Sequence, residues 1–224
     1  MTHPGLRAAS LAPGAADRPA ARAPQLITVA ETEAQPWRNG GGLTRELLAW
    51  PSAQDWRLRL SVADIAADGP FSSFDGVQRW FVVLQGAGVA LTTSGRAHVQ
   101  SMADAPLKFD GGAATHCRLL DGPTRDLNLM LRQRRGGLLQ AWPGQGWQPP
   151  GAVCGLFTRV AGSCQITAVP GARPATQALP AMALLWFASA PASLCWQPLE
   201  SDKTPADPQP QAWWLWASTE SHPA

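Results

Sequence analysis

Hydrophobic and polar residues alternate at period two along much of the chain. In "WRLRLSVA", residues 56–63, Trp56, Leu58, Leu60 and Val62 fall on one side and Arg57, Arg59, Ser61 and Ala63 on the other, the pattern of a strand with two unlike faces. The run "RWFVVLQGAGVALTTSGRAHVQ", residues 79–100, reads as two strands joined near Gly86 and Gly88, then a turn at "TSGR". "RDLNLML" puts Asp126, Asn128 and Met130 on one face and Leu127, Leu129 and Leu131 on the other. The second half continues in the same manner with "GLFTRV", "CQITAVPG", "MALLWFAS", "SLCWQP" and "AWWLWAS", all short and rich in β-branched or aromatic residues.

Turn formers separate these runs. Gly and Pro cluster at 69–70, 122–123, 143–144, 149–151 and 170–171, leaving little room for helices. Strands at this spacing predict an all-β sandwich or barrel. Two successive β units are expected, over 25–140 and 141–217, with the break near "QAWPGQGWQPPG". Residues 1–24 are Ala, Pro, Gly and Arg without periodicity and are expected to be a disordered tail. Residues 199–211 read as a loop and 218–224 as a frayed end.

Composition narrows the function classes. With 11 Trp and no Tyr, indole is this chain's filler, and the Trp-rich strands of the second half are expected to form core and inter-unit packing. The formal charge is +2 and the longest basic cluster is Arg132, Arg134 and Arg135, so no nucleic-acid footprint is present. Lysine occurs only at 108 and 203, and the remaining cations are arginines, whose planar forks clamp carboxylates with two parallel hydrogen bonds. Cys117, Cys154, Cys164 and Cys195 show no C-x-x-C spacing and are expected as free, mostly buried thiols. No run approaches the length of a membrane span, which makes the cytoplasm the expected compartment.

One stretch stands apart from the strands. "WRNGGGLTRE", residues 37–46, sets Gly40, Gly41 and Gly42 among Trp37, Arg38, Asn39, Thr44 and Glu46. The glycines permit either a tight turn or close backbone approach to a ligand. Trp37 offers a flat wall, Arg38 a fork for a carboxylate, and Thr44 and Glu46 share a strand face. Neither G-x-G-x-x-G nor a Gly-Lys-Ser/Thr ending is present, which argues against a phosphate loop. A second loop, "GPFSSFDGVQR", brings Ser73, Phe74 and Arg79.

Taken in order, "PWRNGGGLTREL" (36–47), "WRLRLSVADIAADGPFSSFDGVQRWFVVLQG" (56–86), "KFDGGAATHCRLLDGP" (108–123) and "RDLNLMLR" (125–132) resemble the HutD/Ves family, associated with bacterial histidine utilisation and stress responses. The resemblance is good over about 25–140 and loose beyond. It implies an RmlC-like cupin fold: a bicupin of two small β-barrels or jelly rolls, with a pocket in the first. It also implies modulation of histidine catabolism through a pathway intermediate such as urocanate or a formylated glutamate. In one place the chain departs from the family: where the family pattern is F-x-G-D, this chain has "FDGG", with Gly112 in place of an acid.

The residues then assemble into a candidate pocket. Trp37, Arg38, Asn39, Gly40, Gly41, Gly42, Thr44, Glu46, Arg59, Ser61, Ser73, Phe74, Arg79, Asp126, Asn128 and Met130 are the expected ligand-binding set, suited to a small carboxylate. A buried Asp126 would need a partner, which Arg59 or Arg79 could supply. Cupins commonly hold a metal on histidines, but His3, His98, His116 and His222 show no close pair, so neither metal nor other cofactor is expected. The leading reading is a metal-free ligand-binding regulator. The alternatives are an acid–base enzyme using Glu46 or Asp126 on a small nitrogenous acid, and a protein-interaction module built on the Trp-rich half. A homodimer is left open.

Overall fold

The structure is a computed structural model that describes residues 23–199 and 209–221. Nearly all of the expected tail, the middle of the expected loop at 199–211 and the last three residues lie outside it, as do His3, Lys203 and His222. No helix occurs among the described residues. In chain order the first half supplies β1 (Gln25–Thr28), β2 (Ala34–Pro36), β3 (Gly42–Trp50), β4 (Leu58–Ile65), β5 (Gly69–Pro70), β6 (Val77–Gln85), β7 (Val89–Thr93), β8 (Arg96–Gln100), β9 (Leu107–Asp110), β10 (Thr115–Leu119) and β11 (Thr124–Arg132). The second half supplies β12 (Arg134–Gln140), β13 (Gly146–Trp147), β14 (Val153–Thr158), β15 (Gly162–Thr167), β16 (Ala175–Leu179), β17 (Ala183–Phe187), β18 (Ser193–Pro198) and β19 (Ala212–Ser221).

These strands make four antiparallel sheets. The first barrel pairs a sheet of order β2-β3-β4-β11-β6-β9 with one of order β5-β10-β7-β8, and the second pairs β1-β17-β14-β19-β12 with β13-β18-β15-β16. Strand pairing does not follow the expected division at residue 140. β1 joins β17, and β12 joins β19, so both belong to a sheet of the second barrel although the sequence groups them with the first. β19 also runs through Ser221, past the start of the expected frayed end.

The alternation read from the sequence decides which face goes where. Leu58, Leu60 and Val62 of β4, Trp80, Val82 and Leu84 of β6, and Leu127, Leu129 and Leu131 of β11 pack against Leu138, Val153, Phe157, Leu184, Trp186, Trp213 and Leu215 of the second barrel. This inter-barrel layer stacks the two large sheets face to face. Each fully buried Leu or Phe in it contributes about 1.5–3 kcal/mol over its exposed state. Trp56 does not share that layer; it precedes β4, and its ring meets Phe74 edge-on and carries Arg132 over its face. The opposite faces of β4, β6 and β11 line the lumen of the first barrel.

Gly86 and Gly88, where two strands were expected to join, let the chain leave one sheet for the other. Both have positive φ, and a Cβ at Gly88 would lie 2.3 Å from the Gln100 carbonyl oxygen, so only glycine fits. All four cysteines are free, with Cys117, Cys154 and Cys164 buried.

Candidate functional site

Period two aims Arg59, Ser61, Ala63 and Ile65 of β4, Arg79 of β6, and Asn128 and Met130 of β11 into one cavity of about 700 Å³ in the first barrel. Trp37, Arg38, Asn39 and Thr44 from the glycine stretch line it with them, as do Phe71, Ser72 and Phe74. Ten of the expected site residues therefore share one space: Trp37, Arg38, Asn39, Thr44, Arg59, Ser61, Phe74, Arg79, Asn128 and Met130. Gln35, Pro36, Ala63, Ile65, Pro70, Phe71 and Ser72 also line it and were not among those expected. The alternation already placed Ala63 beside Arg59. Gln35 is different: it arrives by pairing with Thr44 across β2 and β3, a register that no local pattern reveals.

Arg79 dominates the electrostatics. It is only 5% exposed. One Nη2 hydrogen bond goes to Asn128 Oδ1 at 2.8 Å, while its Nε, also buried, has no partner. The guanidinium carbon lies 5.1, 5.9 and 5.0 Å from the ring centroids of Phe71, Phe74 and Phe109, an aromatic box that favours a cation but supplies no negative charge. Burial, with Arg59 nearby, pulls its pKa down to about 10, so it is a cation at neutral pH. Arg59 is compensated: its Nε donates to Glu46 Oε2 at 2.5 Å. The cavity floor thus holds one buried cation without an acid to answer it.

The walls are aromatic. Trp37 Nε1 donates to Thr44 Oγ1 at 2.7 Å, which locks the indole, and Phe71 meets the ring edge-on at 6.2 Å. Arg38 is exposed at the margin of the cavity. The three glycines do not line it. They form the turn that carries Trp37 in: Trp37 N donates to the Gly42 carbonyl, Gly40 N to the Trp37 carbonyl, and Gly41 N to Asn39 Oδ1. Gly40 has φ of 72°, and a Cβ at Gly42 would sit 2.5 Å from the Asp64 carbonyl oxygen and 3.3 Å from the Trp37 ring. The glycine run lets strands and indole close on each other.

Three other expected residues also lie outside the lining. Glu46 is tied to Arg59. Ser73 is exposed and donates to the Gly112 carbonyl and, at longer range, to Asp75. Asp126 is fully buried, and neither Arg59 nor Arg79 is its partner: Thr124 Oγ1 donates to its Oδ2 at 2.8 Å and its Oδ1 has none. Burial pushes Asp126 up to about 8, against the Thr124 hydrogen bond and with help from Asp64, so at neutral pH it is a neutral acid. Burial, with Asp126 and Asp68, in turn raises Cys117 to about 12. At the departure from the family pattern, a Cβ on Gly112 would lie 3.1 Å from Asp75 Oδ1 and 3.5 Å from Asp110 Oδ1. An acid there would face two carboxylates, and glycine avoids that repulsion.

A metal does not suit this lumen. Its polar groups are guanidiniums, three amides and hydroxyls with one thioether, which repel or bind weakly to a divalent cation. Among the described residues no cluster of three His, Cys, Asp or Glu side chains is placed to hold one.

Comparison with known proteins places the chain. The HutD family profile matches residues 29–198. The chain is 36% identical over 113 residues to the "Uncharacterized 21.2 kDa protein in hutC 3'region" of Pseudomonas putida, covering 50% of this chain and 60% of that protein. It is 38% identical over 101 residues to protein Ves of Citrobacter koseri, covering 44% and 53%. The alignments thus span about half to three-fifths of these curated relatives. Among solved structures, a conserved protein of unknown function from Pseudomonas aeruginosa PAO1 superposes with a TM-score of 0.74 at 24% identity, covering 88% of this chain and all of that one. HutD from Pseudomonas fluorescens SBW25, solved in a formate condition, gives 0.69 at 25%, covering 88% and 98%. A Bacillus subtilis oxalate decarboxylase variant gives 0.58 at 9%, covering 91% and 79%, a likeness of fold alone. The architecture is that of a cupin-type, RmlC-like protein.

Proposed function

The chain belongs to the HutD family, and from that premise and the lumen of its first barrel we propose that it binds a small carboxylate and acts as a regulator of histidine utilisation. The carrying observation is Arg79: a buried guanidinium beside a cavity of about 700 Å³, with an unpartnered Nε and no acidic neighbour bonded to it. An isolated buried charge is costly, and a ligand carboxylate would offset that cost through charge-assisted, two-point hydrogen bonding. Asn128 holds the fork from one side, and Trp37 and Phe71 offer flat walls for a planar body. Urocanate, a planar conjugated acid, meets all of this description, and a formylated glutamate meets its carboxylate part. The hutC-region relative supports the pathway assignment.

The positions of the carboxylates favour binding over turnover. A general base must reach its substrate; Glu46 is held by Arg59 outside the lining, and Asp126 is sealed from the cavity. Thermal-shift and calorimetric titration of the full chain with urocanate and N-formylglutamate, against their uncharged amides, test the reading. A carboxylate is expected to raise the melting temperature, as any ligand of the folded state does, the amides to do so far less, and Arg79→Met to abolish the effect. No shift with any acid at millimolar concentration would reject the pocket as a carboxylate site. Product formation would return the protein to the enzymes.

A further inference from the structure

Three phenylalanine rings surround the Arg79 guanidinium, and they are not held alike. Phe109 is buried, and Phe71 packs with it in one hydrophobic cluster of the first barrel. Phe74 is in none of the three core clusters. It comes from the loop between β5 and β6, where its N–H donates to the Gly111 carbonyl at 2.8 Å and Gly76 turns the chain with φ of 68°. Its ring lies 5.9 Å from the Arg79 guanidinium carbon, and it meets the Trp56 indole at 6.5 Å with 71° between the planes.

Trp56 is likewise outside the core clusters, and it is outside the cavity lining as well. Its ring contacts are with Phe74 and with Arg132, whose guanidinium carbon stands 4.4 Å from the indole centroid. The backbone next to it is fixed: Arg57 N donates to the Trp50 carbonyl at 2.7 Å and Arg132 N to the Arg57 carbonyl at 2.9 Å, which ties this corner to the ends of β3 and β11. Cation and ring thus alternate from the half-buried Arg132 through Trp56 and Phe74 to the buried Arg79.

We propose that Trp56 is a positioning residue for the cavity: it does not meet the ligand, and it holds Phe74 against the Arg79 guanidinium from outside. Asn128 fixes Nη2 of that guanidinium, but the buried Nε has no partner and relies on the surrounding rings to keep water away. An indole is broad and rigid with two torsions, so it holds a neighbouring ring at little cost in entropy. Without it Phe74 is a loop side chain with room to change rotamer. Water then reaches the guanidinium, and the arginine is no longer pre-organised for an anion. Arg132 has the lesser part, steadying the face of the indole by cation–π attraction.

Hydrogen exchange at the Arg79 side chain tests this without a ligand. In the isotopically labelled full chain, the Arg79 Nε–H signal is identified by its loss in Arg79→Met. Trp56→Ala is expected to speed its exchange with solvent on the order of tenfold, Arg132→Met to do so less, and Trp56→Phe, which keeps a ring in place, to stay near the parent rate. Trp142→Ala removes an exposed indole beyond β12 and is expected to change nothing. Calorimetry with urocanate adds a functional arm, which rests on the carboxylate reading of the cavity: affinity falls severalfold in Trp56→Ala and recovers in Trp56→Phe. A parent exchange rate in Trp56→Ala, or in Trp56→Leu where the alanine variant does not fold, overturns the proposal. So does an acceleration shared by Trp56→Phe or Trp142→Ala, and so does undiminished urocanate affinity in Trp56→Ala. Urocanate that binds neither variant nor parent rejects the carboxylate reading alone, and the exchange rates then decide the place of Trp56.

Discussion

The first barrel turns Arg59, Ser61, Arg79 and Asn128 into its lumen and keeps a cavity there, whereas the second fills its lumen with Leu156, Leu185, Phe187, Leu194, Trp196 and Trp214. In the second, Trp147 stacks on Trp214 at 4.7 Å with 11° between the ring planes. Both barrels contribute the same kind of apolar face to the layer between them. The difference is confined to the other face of each central strand. One barrel spends its interior on stability, and the other leaves a buried cation, a neutral buried acid and a cavity, each of which lowers stability and persists in a natural protein where function needs it.

The largest effect should come from hollowing the filled barrel. Trp196 is fully buried, and Trp196→Ala is expected to cost about 3–5 kcal/mol of unfolding free energy, the range for a large aromatic removed from a core. Chemical denaturation measures it. A loss below about 1 kcal/mol would mean that the second lumen is not the stabilising one.

The next change runs the opposite way. Asp126 has its folded pKa raised to about 8 from an ordinary 3.8. Below pH 4 both folded and unfolded states are protonated and the group is neutral to stability. Between pH 4 and 8 the unfolded chain ionises while the folded one does not, so stability falls as pH rises, and the penalty levels off above 8. Asp126→Asn should therefore stabilise the protein on the order of 2–3 kcal/mol at pH 8, less than the full linkage value, and should match the parent near pH 4. Denaturation at both pH values checks the sign; a variant less stable at pH 8 would show that the ionised carboxylate has a partner.

How much of this contrast was legible in the sequence depends on what period two encodes. It gives the face of a strand, and so it placed Arg59, Ser61, Asn128 and Met130 together and sent Leu58, Leu60, Leu127 and Leu129 to the other side. It does not give depth along the barrel, and it holds only while the ladder keeps register. Glu46 stands just before a register shift on β3, where Leu47 is the extra residue, and a bulge of that kind bends the strand. Asp126 keeps the alternation of β11, pairing with Ala63 on one side and Val83 on the other, so what separates it from the cavity is its depth along the barrel, which period two does not encode. The grouping of β1 and β12 was hidden for another reason: strand exchange between barrels depends on long-range pairing, which proximity in the chain does not show. The glycine run was legible as a turn, but not that the turn serves the Trp37 indole.

Within the first barrel, Arg79 separates a structural arginine from a ligand-binding one. A structural arginine bonded to acids loses stability when removed, because its partners are left unpaired. Arg79 bonds only to Asn128 and lies against rings, so Arg79→Met keeps the apolar packing, removes an uncompensated charge and leaves the Asn128 amide beside a water-sized opening. The ligand-free variant is expected to be more stable by about 1–2 kcal/mol while losing the carboxylate-induced rise in melting temperature. A destabilised variant that still bound carboxylates would make the residue part of the scaffold.

The smallest expected effect isolates the wall from the floor. Trp37→Phe keeps a flat ring in the cavity and removes one hydrogen bond, from Nε1 to Thr44 Oγ1 at 2.7 Å. Losing a bond of this type costs about 1 kcal/mol, and the Thr44 hydroxyl, beside the cavity, can turn to water or ligand instead. Folding stability should therefore change by no more than that, with affinity for a planar acid falling severalfold because the ring is no longer held against Phe71. For an acid without a planar body the affinity should be nearly unchanged, since Arg79 carries its charge recognition. Titrating the variant with one ligand of each shape separates the contributions: equal losses for both shapes would mean that Trp37 positions the floor of the cavity and is not its wall.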